Sequence, residues 1–342
     1  MKGFGSCAAL AMITAVLSTA APALADPVAD FYKGKTISLI VGSGPGGGYD
    51  LSARLVAQHL PRFVPGNPNV VVRNMPGASS NVAALHVFNV AARDGSVLGM
   101  FQPTFVVDKI NDRSLRYEPD QFTWIGRVDT STLVGIVWHA SPVQTIADAK
   151  KKQAVLAGIA SSGTAATVPW ALNQIVGTKF KVALGYSSSA DVGLAVERGE
   201  ADGTGSTSWD YLETKPEWLA QKKITFLYTI ALARYREIPD VPTILELTDK
   251  ATDRSVLGLI ASGSTIGRSI VAPPDVPRER AVALRLALDG MLKDPDFLAD
   301  ANARRLGVDP LPGPELARIV AEVMAAPADV IAKMQSVTRP PR

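Results

Sequence analysis

The stretch VGSGPGGGYD at residues 41–50 sets five glycines and a proline at the end of an apolar run and closes on Asp50. Gly42-Ser43-Gly44-Pro45-Gly46-Gly47 satisfies G-x-G-x-x-G between a strand pattern and a helix pattern, the context of a dinucleotide site. Such a site needs an acidic residue about 20 residues further on for the ribose. No Asp or Glu occurs between Asp50 and Asp94. No lysine follows the glycines, so a P-loop is absent as well. A glycine turn that opens a helix still presents free backbone N–H groups and the positive end of the helix dipole to an anion, and a carboxylate meets that geometry as well as a phosphate does. Two alternatives follow: an anion cradle built from Ser43, Gly44, Gly46, Gly47, Gly48, Tyr49 and Asp50, or a tight turn whose glycines serve backbone conformation alone. Tyr49, between the glycines and Asp50, is an aromatic that can point into a cleft.

Other chemistries are poorly supplied. A serine hydrolase elbow, G-x-S-x-G, is absent at both Ser43 and Ser161, where Val41 and Ile159 occupy the first glycine's place. His59 and His86 fall within helix patterns and read as packed or solvent-facing side chains. His139 precedes Ser141-Pro142 and reads as a loop residue. No His, Asp or Glu spacing suggests a metal site. The single cysteine is Cys7, which lies in a segment expected to be removed. Disulfides, thiolate nucleophiles and cysteine metal sites are thereby excluded from the mature chain.

That segment is residues 1–25. Lys2 is its one charge, Ala8 to Val16 is apolar, and it ends Ala23-Leu24-Ala25, the pattern of a secretory signal peptide. The apolar part is too short to cross a bilayer. Export to the periplasm is expected. Across the chain, 35 basic side chains face 32 acidic ones without long charge runs, and 47% of residues are hydrophobic. Nothing resembles a nucleic-acid footprint, and the length fits two α/β domains.

The elements that position the glycine turn follow a βαβαβ order. Thr36 to Val41 reads as a strand, Leu51 to Leu60 as a helix capped by Asp50 and ended by Pro61, and Val70 to Arg73 as a strand. Pro76-Gly77 reads as a turn, Asn81 to Ala92 as a helix, and Val97 to Phe101 as a third strand. This order predicts a mostly parallel sheet flanked by helices. It restarts with a strand at Val155 to Ile159, a turn at Ser161 to Thr164, a helix at Val168 to Val176 and a strand at Lys181 to Gly185. Leu133 to Trp138 and Ile224 to Ile230 are the candidate crossing strands between lobes. Arg198-Gly199-Glu200 reads as a helix end. Trp124, Trp170 and Trp218 read as core or lobe-surface anchors.

The segments ISLIVGSGPGGGYDLSARLVAQHL, VVVRNMPGASSNVAA, ARDGSVLGMF, LAGIASSGTAATVPWALNQIVG, LGYSSSADVGLAVERGEADG, IPDVPTILEL and RLGVDPLP resemble, in order and spacing, the substrate-binding receptors of tripartite tricarboxylate transporters, the Bug family of periplasmic solute-binding proteins. The resemblance spans nearly all of the chain after residue 25. It implies a two-lobed Venus flytrap of periplasmic-binding-protein type II-like fold. Lobe 1 would span 26–131 plus 231–342 and lobe 2 would span 132–230. It further implies a monomer that closes on a small di- or tricarboxylate or aromatic acid and delivers it to membrane permease subunits, with no cofactor, metal or catalysis. Such receptors hold the carboxylate through backbone amides, hydroxyls and waters. The corresponding residues here are the turn from Ser43 to Asp50, then Ser79, Ser80 and Asn81, then Ser161, Ser162, Gly163 and Thr164, with Tyr186, Asp202 and Trp209 completing the wall.

Each of several residues keeps two readings. Asp202 either serves the ligand or caps a strand-end turn. Tyr49, Tyr186 and Trp209 either stack on an aromatic acid or pack. Arg54 and Arg73 either attract an anion from a distance or are simply solvated. Tyr49 stands where many such receptors have threonine, and Ser187-Ser188 where many have Lys-Gly, so the ligand of familiar members does not carry over. A ligand-presenting sensor subunit and, more remotely, a secreted hydrolase are the alternatives.

Overall fold

A computed structural model describes residues 26–161 and 163–340; residues 1–25, expected from sequence to be a signal peptide, and Ser162 lie outside the described residues. Among the described residues the strands are β1 Thr36–Val41, β2 Asn69–Asn74, β3 Val97–Met100, β4 Thr123–Asp129, β5 Leu133–Trp138, β6 Ala154–Gly158, β7 Phe180–Leu184, β8 Gly203–Ser208, β9 Ile224–Ile230, β10 Arg268–Ala272 and β11 Leu311–Pro312. They form two sheets, ordered β2-β1-β3-β10-β4-β11 and β7-β6-β8-β5-β9.

Each sheet is mixed, and a strand inserted from the other lobe is the main reason. In the first, β1 pairs in parallel with β2 and β3, while β10 lies antiparallel between β3 and β4. Strands β1 to β4 therefore point the same way. In the second, β6 pairs in parallel with β7 and β8, and β5 is antiparallel to both β8 and β9. In the second sheet the strand out of line is the one that enters from the other lobe; in the first, the entering strand β10 is joined by the two-residue edge strand β11, also antiparallel to β4. The chain passes from β4 to β5 through residues 130–132 and returns from β9 to β10 by way of the helix Ala251–Ile266.

The register fixes which strand ends meet at the junction. Because β4 leads straight into β5, the carboxyl ends of β1 to β4 lie at the lobe junction. So do the amino end of β5 and the carboxyl ends of β6 to β9. The strand order reverses between β1 and β3 and again between β6 and β8. Crevices outside the carboxyl ends at such switch points are where open α/β sheets take ligands.

The first core packs Ile37, Leu39 and Val41 of β1 against Leu55 and Val56 of the helix Gly48–His59. Burying a side chain such as Leu39 stabilises the fold by roughly 1.5–3 kcal/mol. The second core joins Val137, Leu156 and Leu227 to Val168 and Leu172 of the helix Thr164–Ile175. Leu257 of the helix Ala251–Ile266, with Val330 and Met334 of the helix Ala328–Val337, belongs to this same second core. Trp124 and Trp218 are buried core residues. Arg198 ends a helix, with Gly199 following at φ 74°. No helix among the described residues is long and apolar enough to cross a membrane.

Candidate functional site

On the first sheet the ends of β1 and β3 are tied together by one hydroxyl. Ser80 Oγ donates to the Gly42 carbonyl at 2.9 Å and accepts from the Gln102 N–H at 3.0 Å. A Cβ on Gly42 would overlap Ser80, so glycine is required there. Ala78, Ser79 and Ser80 all take left-handed φ angles, 43°, 52° and 76°, which for non-glycine residues costs roughly 1–2 kcal/mol each. Ser79 is thereby left exposed and Ser80 buried. Asn81 faces inward instead: its Nδ2 donates to Asp108, and its Oδ1 accepts from Tyr117 Oη at 2.5 Å.

The glycine turn is held by Asp50, though not by the expected cap. The helix begins at Gly48 with Gly47 as N-cap, so Asp50 lies within the first turn and reaches back. Its Oδ2 accepts from the Gly46 N–H at 2.8 Å and from Arg54 Nε at 2.9 Å, and its Oδ1 accepts from Asn74 Nδ2 at 2.8 Å. The Arg54 hydrogen bond leads in holding this carboxyl down, at about 2. Asn74 Nδ2 also donates to the Ser43 carbonyl at 3.0 Å. Asp50 and Arg54 are thus engaged with each other, and Arg73 is exposed on β2. The first-turn amides of Gly48 and Tyr49 have no intrahelical acceptor. Ser43 Oγ is buried without a hydrogen-bond partner.

On the second sheet, Gly163 caps the helix Thr164–Ile175, and Thr164 Oγ1 donates to Ser206 Oγ at 2.9 Å. Pro169 lies inside this helix, and a Cβ on Gly205 of β8 would overlap its ring, so the glycine lets the helix approach the strand. Ser161 and Gly163 are exposed. Tyr186 follows Gly185, whose φ is 108°, and packs partly against Val192 and Val196. Ser43, Gly44, Gly46, Gly47, Gly48 and Tyr49, with Ser79 and Ser80, stand at the first switch point. Ser161, Gly163, Thr164, Tyr186 and Trp209 stand at carboxyl ends of the second sheet. Asp202 does not join them. Its carboxylate accepts from the Val155 N–H at 2.7 Å at the amino end of β6, the far end of the sheet.

Three residues outside the sequence-derived set join the lobes. Arg268, at the start of β10, is 3% exposed. Its Nη1 donates to Asp129 Oδ2 at 2.7 Å, and its Nη2 pairs with Asp210, on the helix Trp209–Glu213 of the second lobe. The guanidinium lies 5.7 Å from the centre of the Tyr49 ring. Burial pushes the Tyr49 hydroxyl up to about 12, against the pull of the Arg268 charge. Desolvation likewise raises Asp129 to about 6, against the pull of Arg268. The Trp209 ring stacks on Phe226 and meets Tyr235 edge-on, with its Nε1 donating to Glu213. Both rings therefore already have packing partners. A charged residue just before the apolar run 270–272, Arg268 at the head of its strand, was the available sequence signal.

A cavity of about 680 Å³ flanks the junction on the β4–β11 side. Six carboxylates and three arginines line it, among them Asp129, Asp210 and Glu315. That excess of negative charge repels an anion. The residues at the switch points present amides and hydroxyls instead, without that excess of negative charge. His59 lies elsewhere, its Nε2 3.0 Å from Asp300 and its Nδ1 accepting from Arg62. No group of three His, Cys, Asp or Glu among the described residues is placed to hold a metal ion.

The two lobes, each with a returning strand inserted beside its βαβαβ unit, define a periplasmic-binding-protein fold. The chain is similar to a TctC solute-binding protein from Polaromonas, at 19% identity and a TM-score of 0.69, covering 89% of this chain and 99% of that one. It is also similar to MatC from Rhodopseudomonas palustris, solved with bound malate, at 21% identity and a TM-score of 0.59, covering 87% and 99%. A UPF0065 protein of Bordetella bronchiseptica is 24% identical over 293 residues, covering 82% of this chain and 81% of that protein. No family model matches the chain.

Proposed function

We propose that this protein is a periplasmic solute-binding receptor of the Bug type. It captures a small organic carboxylate between its lobes and hands it, chemically unchanged, to the permease subunits of a tripartite tricarboxylate-type transporter. The observation that carries the reading is the pairing of two switch points across one junction, each with a helix amino terminus and hydroxyls, beside a cavity too acidic for an anion. The malate bound to MatC supports the ligand class. In this reading residues 1–25 are a signal peptide removed on export. Residues 26–131 and 231–342 form lobe 1 and 132–230 form lobe 2, with the helices Ala251–Ile266 and Ala328–Val337 riding on the second core.

Ser43, the amides of Gly44, Gly47, Gly48 and Tyr49, and Ser79 would hold the anion from lobe 1, with Gly46 keeping its N–H on Asp50. Ser161, Ser162, Gly163, Thr164 and Tyr186 would hold it from lobe 2. Asp50, Ser80 and Asn81 support those segments from beneath. A thermal-shift screen of mono-, di- and tricarboxylates tests this, because a ligand that binds only the folded state raises the melting temperature. Mass spectrometry of the recovered acid should find it intact. If no carboxylate stabilises the protein, or the acid is turned over at substoichiometric protein, the reading fails.

A further inference from the structure

At the second switch point a slot of about 40 Å³ opens between β6, β8 and the helix Ser189–Glu197. Its walls include Ile136, Ile159 and Val192, and its polar groups include Thr204, Ser206 and Tyr211. Ile159 and Ser189, at the carboxyl end of β6 and the start of the helix, put its mouth on the face turned to the other lobe. The Tyr211 hydroxyl is buried and has no hydrogen-bond partner. Its surroundings hold it there. Ser208 Oγ accepts from the Tyr211 N–H at 3.2 Å, the ring meets Trp218 edge-on, and Gly193 leaves the space that any Cβ would take from the hydroxyl. A buried hydroxyl without a partner is costly, and one lining a slot at a ligand-facing crevice has an obvious use.

We infer that this slot is the specificity subsite of lobe 2, taking a short polar arm of the carboxylate, a hydroxyl or carbonyl, with Tyr211 as its hydrogen-bond partner. The inference rests on the interlobe carboxylate reading and narrows its ligand class. Room for one water needs about 10–15 Å³, and a cavity that holds benzene is about 150 Å³. The slot therefore admits two or three non-hydrogen atoms and excludes an aryl ring. With the rings of Tyr49 and Trp209 already packed, the ligand class is the aliphatic hydroxy or oxo acid.

Calorimetry with succinate, 2-hydroxysuccinate, 2-oxoglutarate, glutarate and benzoate tests this on the wild type and on Tyr211→Phe, which removes only the hydroxyl. The wild type should bind the hydroxy or oxo acid about three- to tenfold tighter than its plain counterpart, and bind benzoate least. Tyr211→Phe should erase that preference while leaving the plain diacid within about twofold. Gly193→Ala, which crowds the hydroxyl, should lower the same preference. An unchanged preference in Tyr211→Phe, or benzoate binding as tightly as the diacids, overturns the subsite while leaving the carboxylate reading intact. Failure of every acid to bind the wild type overturns both.

Discussion

Replacing Asp50 with asparagine would remove one charge from beneath the glycine turn with little change of shape. The carboxyl is held down from its ordinary 3.8 to about 2, first by the Arg54 hydrogen bond and then by the Gly46 N–H and Asn74 against a desolvation cost. Each pKa unit corresponds to 1.36 kcal/mol. The Asp50 side chain is only 2% exposed, but Arg54 is 49% exposed and screened by solvent, which brings the expected contribution to roughly 2 kcal/mol. The sign follows from the direction of the shift. The folded state holds the proton less readily than the unfolded chain, so the stabilisation is fully present above the unfolded value near 4. It is lost as pH falls through about 2. Urea denaturation at pH 7 should find Asp50→Asn less stable by roughly 2 kcal/mol, and the gap should shrink steadily as the pH is lowered from 5 toward 2. A gap that stayed constant across that range would refute the charge argument and assign the loss to amide geometry. No loss at pH 7 would mean that the turn does not depend on this carboxylate at all.

Gly42→Ala drives a methyl group into Ser80 and should cost roughly 1–3 kcal/mol by overpacking; chemical denaturation alone and with Ser80→Gly should show the two changes to be less than additive, and full additivity would rule out the clash. Asp210→Asn removes the partner that Arg268 finds in the opposite lobe. With Asp210 37% exposed, the pair is worth about 1 kcal/mol, a shift of about fivefold toward open lobes. Small-angle scattering should then show a larger resting radius of gyration, and an unchanged radius would mean that the pair does not bear on closure.

Much of the scaffold was legible where its strands are short apolar runs bounded by turn residues, whereas β8, a run of glycines and small hydroxyls, and β4 and β10 were not read from the pattern. β1, β5 and β9 begin and end where the residue pattern places them, and the glycine turn falls at a strand end as its sequence requires. The mixed character of the sheets was not legible. It arises from β5 and β10, strands that enter from the other lobe, and no local pattern records where a returning strand inserts. Asp50 illustrates a nearer failure. A helix-start aspartate is ordinarily a cap, but three glycines before it allow the helix to begin earlier, and the same carboxylate then reaches back to Gly46 from inside the first turn.

Partnership over long sequence separations decides which candidate side chains remain free for a ligand. Arg268 meets Asp129 across 139 positions and Asp210 across 58, so the most buried cation at the junction is already matched by carboxylates of the protein itself. Asp202 is engaged by Val155, Asn81 by Tyr117 and Asp108, and Trp209 by Phe226, Tyr235 and Glu213. Each of these reads in sequence as a reactive or ligand-facing type, and apart from Glu213, four residues from Trp209, the partners lie at sequence distances that proximity does not reveal. The groups that remain are of a different kind: backbone amides at two helix starts, the buried, unpartnered hydroxyls of Ser43 and Tyr211, and Arg268 Nε, which is buried without a hydrogen-bond partner although Nη1 and Nη2 of the same guanidinium are paired. Donors fixed by the fold would suit the proposed receptor, which must release its ligand, since they would grip a carboxylate through geometry that both lobes complete and would lose that grip when the lobes part.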